Sequence, residues 1–477
     1  MEENSSLKVK TLRGLFWSSI ERFSLQGVQF IINIIMARLL LPADYGLVGM
    51  LAIFLSISQV FIDGGFGDAL IQKKDRSIQD YSTAFLCNVY IALFFYLLLF
   101  VTAPYIACFY NAPQLVLVTR IIALSLLLNS CYAVCRTKLT IEVNFKTISK
   151  SSLIAAALSG TIGIIMAYHG FGVWSIVGQT LLNSIFSLGL FYYFSKWKVI
   201  FIFSKVSFKN MWNFGFKLMI SNLIHNIYIN MYSVVIGRYF SASQLGYYTR
   251  AEQFASFPAS NFSMIISRVM FPILSELQDD NAKLKRVYEK YLRISTCIIF
   301  PLMVGLIVLA SPLISVILTD RWSEVTILLQ ILAFAWMFDH ISAINLGVLY
   351  VKGRSDVVLR LEYVKKTTAI IILLISISFG LVGMCIGRAL YSIIAIFFNS
   401  YYSKPILNFG IFEQLKFICL YFFYASTMGF IIFLVNSFIY LPVLKLFVGL
   451  IIGIFVYVTL LYISKDVTLK ELKGGFK

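Results

Sequence analysis

Polar and ionisable side chains recur at helical spacing inside an apolar stretch near the start of the chain. Arg22, Gln26, Gln29 and Asn33 follow one another at steps of three or four residues, and Glu21 lies beside them. This spacing places the four side chains on one face of a helix. Because an ionisable group is costly in hydrocarbon, we interpret the row as one wall of an aqueous cavity that binds a polar ligand.

A second polar row appears about 200 residues later in the chain. Asn222, Asn226 and Asn230 form it, and Lys217 belongs to the adjacent row on the same helix. The same offset places Arg22 on Asn222 and Gln26 on Asn226. Two walls of one cavity would carry such matching rows. The alternative is that the amides are hydrogen-bonded contacts between helices, as polar residues in membrane helices often are.

Three cations within the apolar stretches, Arg22, Lys217 and Arg250, could bind phosphate in such a cavity. A guanidinium group can hold a phosphate through two parallel hydrogen bonds. These cations and the amide rows form the predicted binding set, which is Arg22, Gln26, Gln29, Asn33, Lys217, Asn222, Asn226 and Arg250.

Carboxylates within the apolar stretches are candidates for coupling to a cation or a proton. Glu21, Asp63 and Asp339 are the three predicted coupling residues. Cys131 and Cys135 lie one helical turn apart, but no histidine or carboxylate joins them in a metal-binding pattern. We therefore expect no catalytic residues, no metal site and no cofactor.

The composition requires a membrane. The 477 residues are 59% hydrophobic and only 13% charged, and the mean hydropathy is +0.84. About 14 stretches are long enough to span a bilayer as helices, and no connection is long enough to fold as a soluble domain. The sequence predicts an all-α polytopic membrane protein with about 14 transmembrane helices.

An internal repeat organises these helices. At an offset of about 200 residues, Arg38 falls on Arg238 and Gly46 on Gly246 without a gap. Repeats of this kind are typical of transporters, whose substrate site lies at the repeat interface. We predict two six-helix lobes followed by two additional helices and a cytoplasmic tail, over residues 1–200, 201–405 and 406–477.

The net charge of +18 indicates topology rather than nucleic-acid binding. Most basic residues, Arg136 among them, fall in alternate connections, which places both termini in the cytoplasm. These residues would also contact anionic lipid headgroups. A nucleic-acid site would require a basic stripe with interleaved aromatic residues on a soluble face, and the sequence has none.

Four segments resemble a known family of membrane proteins. The chain is similar to the polysaccharide exporters, the Wzx-like O-antigen and exopolysaccharide flippases of the multidrug/oligosaccharidyl-lipid/polysaccharide superfamily. The segments are residues 37–47 (ARLLLPADYGL), 66–75 (FGDALIQKKD), 246–251 (GYYTRA) and 271–280 (FPILSELQDD).

This resemblance implies a function and a place in the cell. It implies two six-helix lobes around a central cavity, with the last two helices outside. It further implies that the protein moves undecaprenyl-diphosphate-linked oligosaccharide across the bacterial cytoplasmic (inner) membrane by alternating access. The cavity cations would then receive the diphosphate. We expect lipid-linked oligosaccharide, membrane lipids, a polysaccharide polymerase and a chain-length regulator as partners.

Two other functions stay open at this point. A multidrug or cation antiporter of the same superfamily would favour acidic and aromatic cavity walls, whereas the predicted rows are cationic and rich in amides. A membrane polysaccharide polymerase would need convergent acid–base or metal-binding groups at a bilayer face. The sequence has only three histidines and no paired-carboxylate motif, so it favours transport.

Overall fold

Residues 24–469 are the part of the chain that the computed structural model describes. Eighteen α-helices and two 3₁₀-helices occupy this part, and it contains no β-strand. The predicted all-α fold is confirmed. Contacts divide the chain into two compact units, Met1–Gly246 and Tyr247–Lys477.

The first unit is built from nine helices within the described residues. In it, α7 packs on α8, α6 also packs on α8, and α2 packs along α9. The helices are α1 (described over Ser24–Leu39), α2 (Pro42–Asp63), α3 (Phe66–Gln72), α4 (Ile78–Phe109), α5 (Leu115–Ile122), α6 (Leu124–Ile141), α7 (Phe145–Tyr168), α8 (Val173–Ser195) and α9 (Lys205–Tyr239).

The second unit contains most of α10, whose first turn belongs to the first unit, and the helices that follow. Here α11 packs on α17, α15 on α16, and α17 on α18. The helices are α10 (Ala242–Glu276), α11 (Asn281–Val308), α12 (Ala310–Ile317), α13 (Val325–Trp336), α14 (Asp339–Val351), α15 (Ser355–Ser376), α16 (Gly380–Leu407), α17 (Ile411–Ser437) and α18 (Pro442–Ile463), with 3₁₀-helices at Asp320–Trp322 and Ile377–Phe379.

Eleven segments of the described chain are long and apolar enough to cross a membrane. One of them, Ser355–Pro405, contains both α15 and α16 and therefore provides two crossings. The 35-residue α9 is not among the eleven, because polar side chains interrupt its apolar sequence. With α9 and α1 added, residues 24–469 contain fourteen long helical segments, the number that the apolar stretches predict.

A pair of glycines breaks the second membrane segment into α2 and α3. Gly64 and Gly65 have φ values of 47° and 69°, in the left-handed region where a side chain is disfavoured. The break also packs directly against the backbone of α9, since a Cβ on Gly65 would lie 2.4 Å from Cα of Gly215. This close approach holds the end of α2 beside α9.

The first turns of α2 and α10 pack against each other through a reciprocal glycine contact, which lies wholly within the first unit. A Cβ on Gly46 would lie 1.7 Å from the carbonyl oxygen of Ala242, and a Cβ on Gly246 would lie 1.9 Å from that of Pro42. These four positions are two of the pairs related by the offset of 200. Alanine at either glycine would force the two helix starts apart.

The predicted lobe boundaries stay a prediction. The sequence places α9 in the second lobe, and within the first compact unit α9 packs against α2, α3 and α4. Ser204 begins α9 as its N-cap by accepting a hydrogen bond from the backbone N–H of Ser207 at 3.3 Å.

Candidate functional site

A polar pocket opens in the first unit where α2 ends. Its volume is about 640 Å³, in the range of small-molecule sites. Side chains of α2, α3, α4, α6 and α9 line it. The hydrogen-bonding and charged residues among them are Gln59, Asp63, Asp68, Asn88, Asn129, Tyr132, Arg136, Thr137, Thr140, Asn222 and Asn226.

The last turn of α2 contributes an amide and a carboxylate. Gln59 and Asp63 are one turn apart, and Nε2 of Gln59 donates a hydrogen bond to Oδ1 of Asp63 at 2.8 Å. The second carboxylate oxygen and the Gln59 carbonyl oxygen are therefore left as acceptors. Asp63 is exposed because the helix ends at the next residue, Gly64.

One face of α6 forms the opposite part of the lining. Asn129, Tyr132, Arg136 and Thr140 follow at steps of three or four residues. The Tyr132 hydroxyl donates to Oδ1 of Asn129 at 3.2 Å, so the Asn129 amide can donate to a ligand. The Tyr132 ring stacks on Phe191 with centroids 5.3 Å apart, which fixes its position.

The α9 residues add carbonyl acceptors to the pocket. Nδ2 of Asn226 donates to the backbone oxygen of Asn222 at 2.9 Å, which leaves Oδ1 of Asn226 as an acceptor. One turn further, Nδ2 of Asn230 donates to Oγ of Ser56 at 3.1 Å and joins α9 to α2. Asn222 is exposed and Asn226 is half-buried, so both can contact a ligand in the pocket.

Among residues 24–469, the charged side chains that line the pocket are two carboxylates and one guanidinium, so the sum of these described charges is negative. Arg136 is close enough to Asp63 to attract it, whereas Asp68 repels it. The other polar groups are neutral amides and hydroxyls. Such a lining suits a ligand that donates many hydrogen bonds, as sugar hydroxyls or an organic cation do. Within residues 24–469 no histidine, cysteine and carboxylate group forms a metal-binding cluster.

Three of the predicted site residues meet in this pocket, namely Asn222, Asn226 and Asp63. The other predicted residues of the first unit, on α9 and α1, do not line the pocket. Lys217 is exposed on α9, just over one turn before Asn222. On α1, Gln29 is exposed, and Gln26 and Asn33 are half-buried. Arg22 and Glu21 lie outside the described residues.

The second unit holds the remaining two predicted residues. Arg250 is buried on α10, and its guanidinium donates to Oε1 of Gln253. Asp339 is exposed and begins α14, just after the break that separates α13 from α14. These contacts show neither substrate binding by Arg250 nor ion coupling by Asp339, so both roles stay predictions.

An ion pair lies close to Asp339 within this unit. Nη2 of Arg388 donates to Oε1 of Glu252 at 2.7 Å, and its Nη1 donates to the Tyr248 hydroxyl at 2.8 Å. The indole N–H of Trp336 also reaches the Glu252 carboxylate, at 3.2 Å. This cluster satisfies its own charges.

A second polar cluster in this unit is fully buried. Oδ1 of Asn345 accepts from the Tyr288 hydroxyl at 2.8 Å, and its Nδ2 donates to Oε1 of Gln414 at 3.1 Å. Oε1 of Gln414 also accepts from the Ser400 hydroxyl at 3.0 Å. We call these four residues the buried amide network. It joins α11, α14, α16 and α17.

Arg136 is a charged residue of the pocket that the sequence analysis did not place in the site. The sequence assigns it to a cytoplasmic connection, but α6 continues to Ile141, so Arg136 lies on the helix. The detectable signal was the spacing of Asn129, Tyr132, Arg136 and Thr140, which is the same helical pattern that reveals the predicted rows.

Comparisons with known proteins place the chain among glycan-synthesis membrane proteins. A family model described as "Polysaccharide biosynthesis protein" matches residues 35–327. The chain is 26% identical to the teichuronic acid biosynthesis protein TuaB of Bacillus subtilis (strain 168), over 74% of this chain and 73% of TuaB. It is 27% identical to the succinoglycan biosynthesis transport protein ExoT of Rhizobium meliloti (strain 1021), over 72% of this chain and 68% of ExoT.

A solved structure shares the fold. The lipid II flippase MurJ in an inward closed conformation aligns with a TM-score of 0.77 over 94% of this chain and 99% of MurJ. The sequence identity is 17%, so the likeness concerns the arrangement of helices alone. It confirms the predicted class of fold.

Proposed function

The chain belongs to the polysaccharide biosynthesis protein family, and we propose that it is a flippase for lipid-linked oligosaccharide in the bacterial cytoplasmic membrane. The name of the relative ExoT includes transport, and the fold matches that of a flippase. The substrate is an undecaprenyl-diphosphate-linked repeat unit for a surface polysaccharide. Both termini lie in the cytoplasm. A polysaccharide polymerase and a chain-length regulator act after this step.

The observation that carries this proposal is the polar pocket among helices that are otherwise apolar. The bilayer core has no water to satisfy polar groups, so unsatisfied acceptors such as Oδ1 of Asn226 imply an aqueous path or a ligand. The pocket has room for sugar residues, and its amides and carboxylates accept hydrogen bonds from hydroxyl groups.

The charge of the pocket suggests that the glycan and the diphosphate of the substrate bind at different places. With two carboxylates beside Arg136, the pocket repels a diphosphate and suits the glycan. The predicted cations are then separate candidates for the diphosphate: Lys217 in the first unit, Arg250 in the second, and Arg22, which lies outside the described residues. Gln26, Gln29 and Asn33 complete the predicted path on the first helix.

Changing the charge at Lys217 or Arg250 tests the diphosphate role. We expect Lys217→Glu at its exposed position, and the milder Arg250→Gln at its buried one, to abolish export while the protein still inserts and folds. Normal surface glycan in both variants would remove these residues from the substrate path.

Alternating access also needs an energy source, and we propose Asp63 and Asp339 as coupling residues, with Glu21 as a third candidate. Both aspartates are exposed beside a helix break, where a cation or proton could reach them. Asp63→Asn and Asp339→Asn should change how export depends on the ion gradient or the membrane potential. Unchanged dependence in both variants would exclude the pair.

One observation favours a second function, a multidrug or cation antiporter. Asp63, Asp68 and Tyr132 give the pocket the acidic and aromatic groups that attract organic cations. The two functions predict different competitors of transport. In an antiporter a cationic drug should inhibit transport and a neutral oligosaccharide should not. In a flippase the oligosaccharide should inhibit transport and the drug should not.

Deleting the gene distinguishes the functions. The flippase proposal predicts loss of surface polysaccharide and accumulation of completed lipid-linked repeat units on the cytoplasmic leaflet. Normal glycan with altered drug or cation efflux would establish the antiporter instead. Accumulation of incomplete repeat units would indicate an enzyme such as a polymerase or glycosyltransferase.

A further inference from the structure

A second, smaller pocket lies in the second unit and shares no lining residue with the polar pocket. It has a volume of about 230 Å³ and lies where α11 and α12 meet the end of α17 and the start of α18. Val308, Ser311, Pro312, Ser315, Phe433, Asn436, Ser437, Pro442 and Lys445 line it.

Several polar side chains of this pocket offer hydrogen-bond acceptors. Asn436 is only 8% exposed, and its Oδ1 has no hydrogen-bond partner among the described residues. The Ser315 hydroxyl already donates to the backbone oxygen of Pro312 at 3.2 Å, and that of Ser437 donates to Leu434 at 2.6 Å. Both hydroxyls therefore present lone pairs rather than protons. The pocket favours a ligand with several N–H or O–H donors.

A single cation completes the lining. Lys445 is half-buried in the first turn of α18, and within residues 24–469 no carboxylate lines the pocket with it. An ammonium group there attracts an anion, and a phosphate is the anion that lipid headgroups supply. The ligand should therefore combine N–H donors for Asn436 with a phosphate for Lys445.

Exposed apolar side chains surround the pocket and indicate that its ligand is a membrane lipid. Phe433, Val443 and Phe447 are 63%, 57% and 67% exposed, so the helices beside the pocket present apolar side chains to their surroundings. Tyr440, in the connection between α17 and α18, is 95% exposed, as aromatic residues at a bilayer interface are. Acyl chains can lie along these helices while the headgroup enters the pocket.

We propose that this pocket binds the phosphoethanolamine headgroup of a phospholipid. The ammonium group donates hydrogen bonds to Oδ1 of Asn436 and to the hydroxyl oxygens of Ser315 and Ser437. The phosphate contacts Nζ of Lys445. A choline headgroup has no N–H to donate, and a glycerol headgroup has no positive charge, so the pocket discriminates among phospholipids by the head amine. The bound lipid fixes the α17–α18 pair in one leaflet.

Lipid retention by the purified full-length protein tests this proposal. The protein is reconstituted in vesicles of phosphatidylcholine with an equal share of phosphatidylethanolamine, its N-methylated derivatives or phosphatidylglycerol, then extracted, and bound lipid is counted by native mass spectrometry. We expect phosphatidylethanolamine to be retained about tenfold over phosphatidylcholine, as one charge-assisted hydrogen bond predicts. Retention should fall stepwise as methyl groups replace N–H donors.

Variants assign the effect to the pocket. Asn436→Leu should abolish the preference for phosphatidylethanolamine, and Asn436→Asp should keep it because an acceptor remains. Lys445→Gln should lower retention of all phospholipids alike. Thr427→Val is the matched control on α17, since Thr427 bonds only within its helix and lies outside the pocket.

Three results would overturn the proposal. They are equal retention of all headgroups, a preference that Asn436→Leu leaves intact, and tighter retention of phosphatidylglycerol. Soluble phosphoethanolamine provides a last comparison, because displacement of the lipid by this headgroup alone shows that the pocket recognises the head and not the acyl chains. Failure of soluble phosphoethanolamine to compete, even at high concentration, would count against a headgroup site.

Discussion

The polar pocket of the first unit and the buried amide network of the second unit contain the same kinds of residue and use them differently. In the network, Asn345 and Gln414 are fully buried and bond to each other and to neighbouring hydroxyls. In the pocket, Asn222 is exposed and Asn226 uses only its amide N–H groups within the protein. The network is closed, and the pocket offers unused acceptors to a ligand.

This difference distinguishes two roles that a polar residue can have in a membrane helix. Amides that satisfy one another across helices stabilise their packing. Amides and carboxylates that remain accessible to solvent bind and release something else. Substitutions confined to one region at a time should therefore affect either the stability of the fold or the rate of export.

The largest effect is expected from breaking the network. Asn345→Leu removes the partners of the Tyr288 hydroxyl and of the Gln414 amide, and both are buried. We expect the free energy of unfolding to fall by about 2 kcal/mol. Thermal and denaturant unfolding of the purified protein measure this loss. Asn222→Leu is the matched control and should leave stability unchanged. Equal losses of stability in the two variants would contradict the distinction between a structural network and an accessible pocket.

Removing the charge of Asp63 should affect transport and spare folding. Asp63→Asn loses a charge-assisted hydrogen bond from any ligand, which corresponds to about tenfold slower export. The rate of surface polysaccharide recovery after induction measures this change. Asp356→Asn serves as control, because Asp356 pairs with Arg354 at an exposed helix start. A transport defect of the same size in the control would argue against a specific role for Asp63.

Arg136 tests whether the missed residue belongs to the pocket. Arg136→Gln removes the one guanidinium that residues 24–469 contribute to the lining, so the two carboxylates lose a nearby positive charge. We expect export to fall about fivefold, as a partly solvated charge contact suggests. Lys138→Gln, two residues along the same helix, is the comparison. Lys138 donates to the backbone oxygen of Ser195 and does not line the pocket. Export that falls only in the Lys138 variant would contradict the assignment.

The smallest effect is expected from a single neutral amide. Asn226→Ala removes one acceptor from the pocket, and a neutral hydrogen bond corresponds to about a threefold change. The same export measurement applies. Asn261→Ala is the matched substitution on α10, where the amide donates within its own helix. If the two variants export equally well, Asn226 does not contact the substrate.

The sequence predicted the helical fold because long apolar stretches are unfavourable in water and must lie in a membrane. Each stretch of about 20 apolar residues is long enough for one helical crossing, so the number of stretches predicts the number of crossings. The sequence also named Asn222 and Asn226, since helical spacing places polar side chains on one face, and Asp63, because a carboxylate within an apolar stretch is costly. The structure brings these three residues to one pocket. The sequence could not show that Asn226 is accessible while Asn345 is enclosed. That distinction depends on which helices pack together, and spacing along one helix carries no such information.

Arg136 shows the complementary weakness. Apolarity locates the part of a helix that lies in hydrocarbon, but it does not locate where the helix ends. Because α6 continues to Ile141, a residue that reads as part of a basic connection lies within the pocket. The close approach of Gly65 to Gly215 likewise depends on which helices pack together, and the sequence does not show it.

Translocation of two matched substrates by the reconstituted protein tests the central claim most directly. Proteoliposomes containing wild-type protein or the double variant Asn222→Leu, Asn226→Leu would receive undecaprenyl diphosphate with and without its oligosaccharide, and arrival at the opposite leaflet would be timed. If the pocket binds the glycan, the double variant slows the glycan-linked lipid and leaves the glycan-free lipid unchanged. Equal rates for the glycan-linked lipid in variant and wild type would contradict the account.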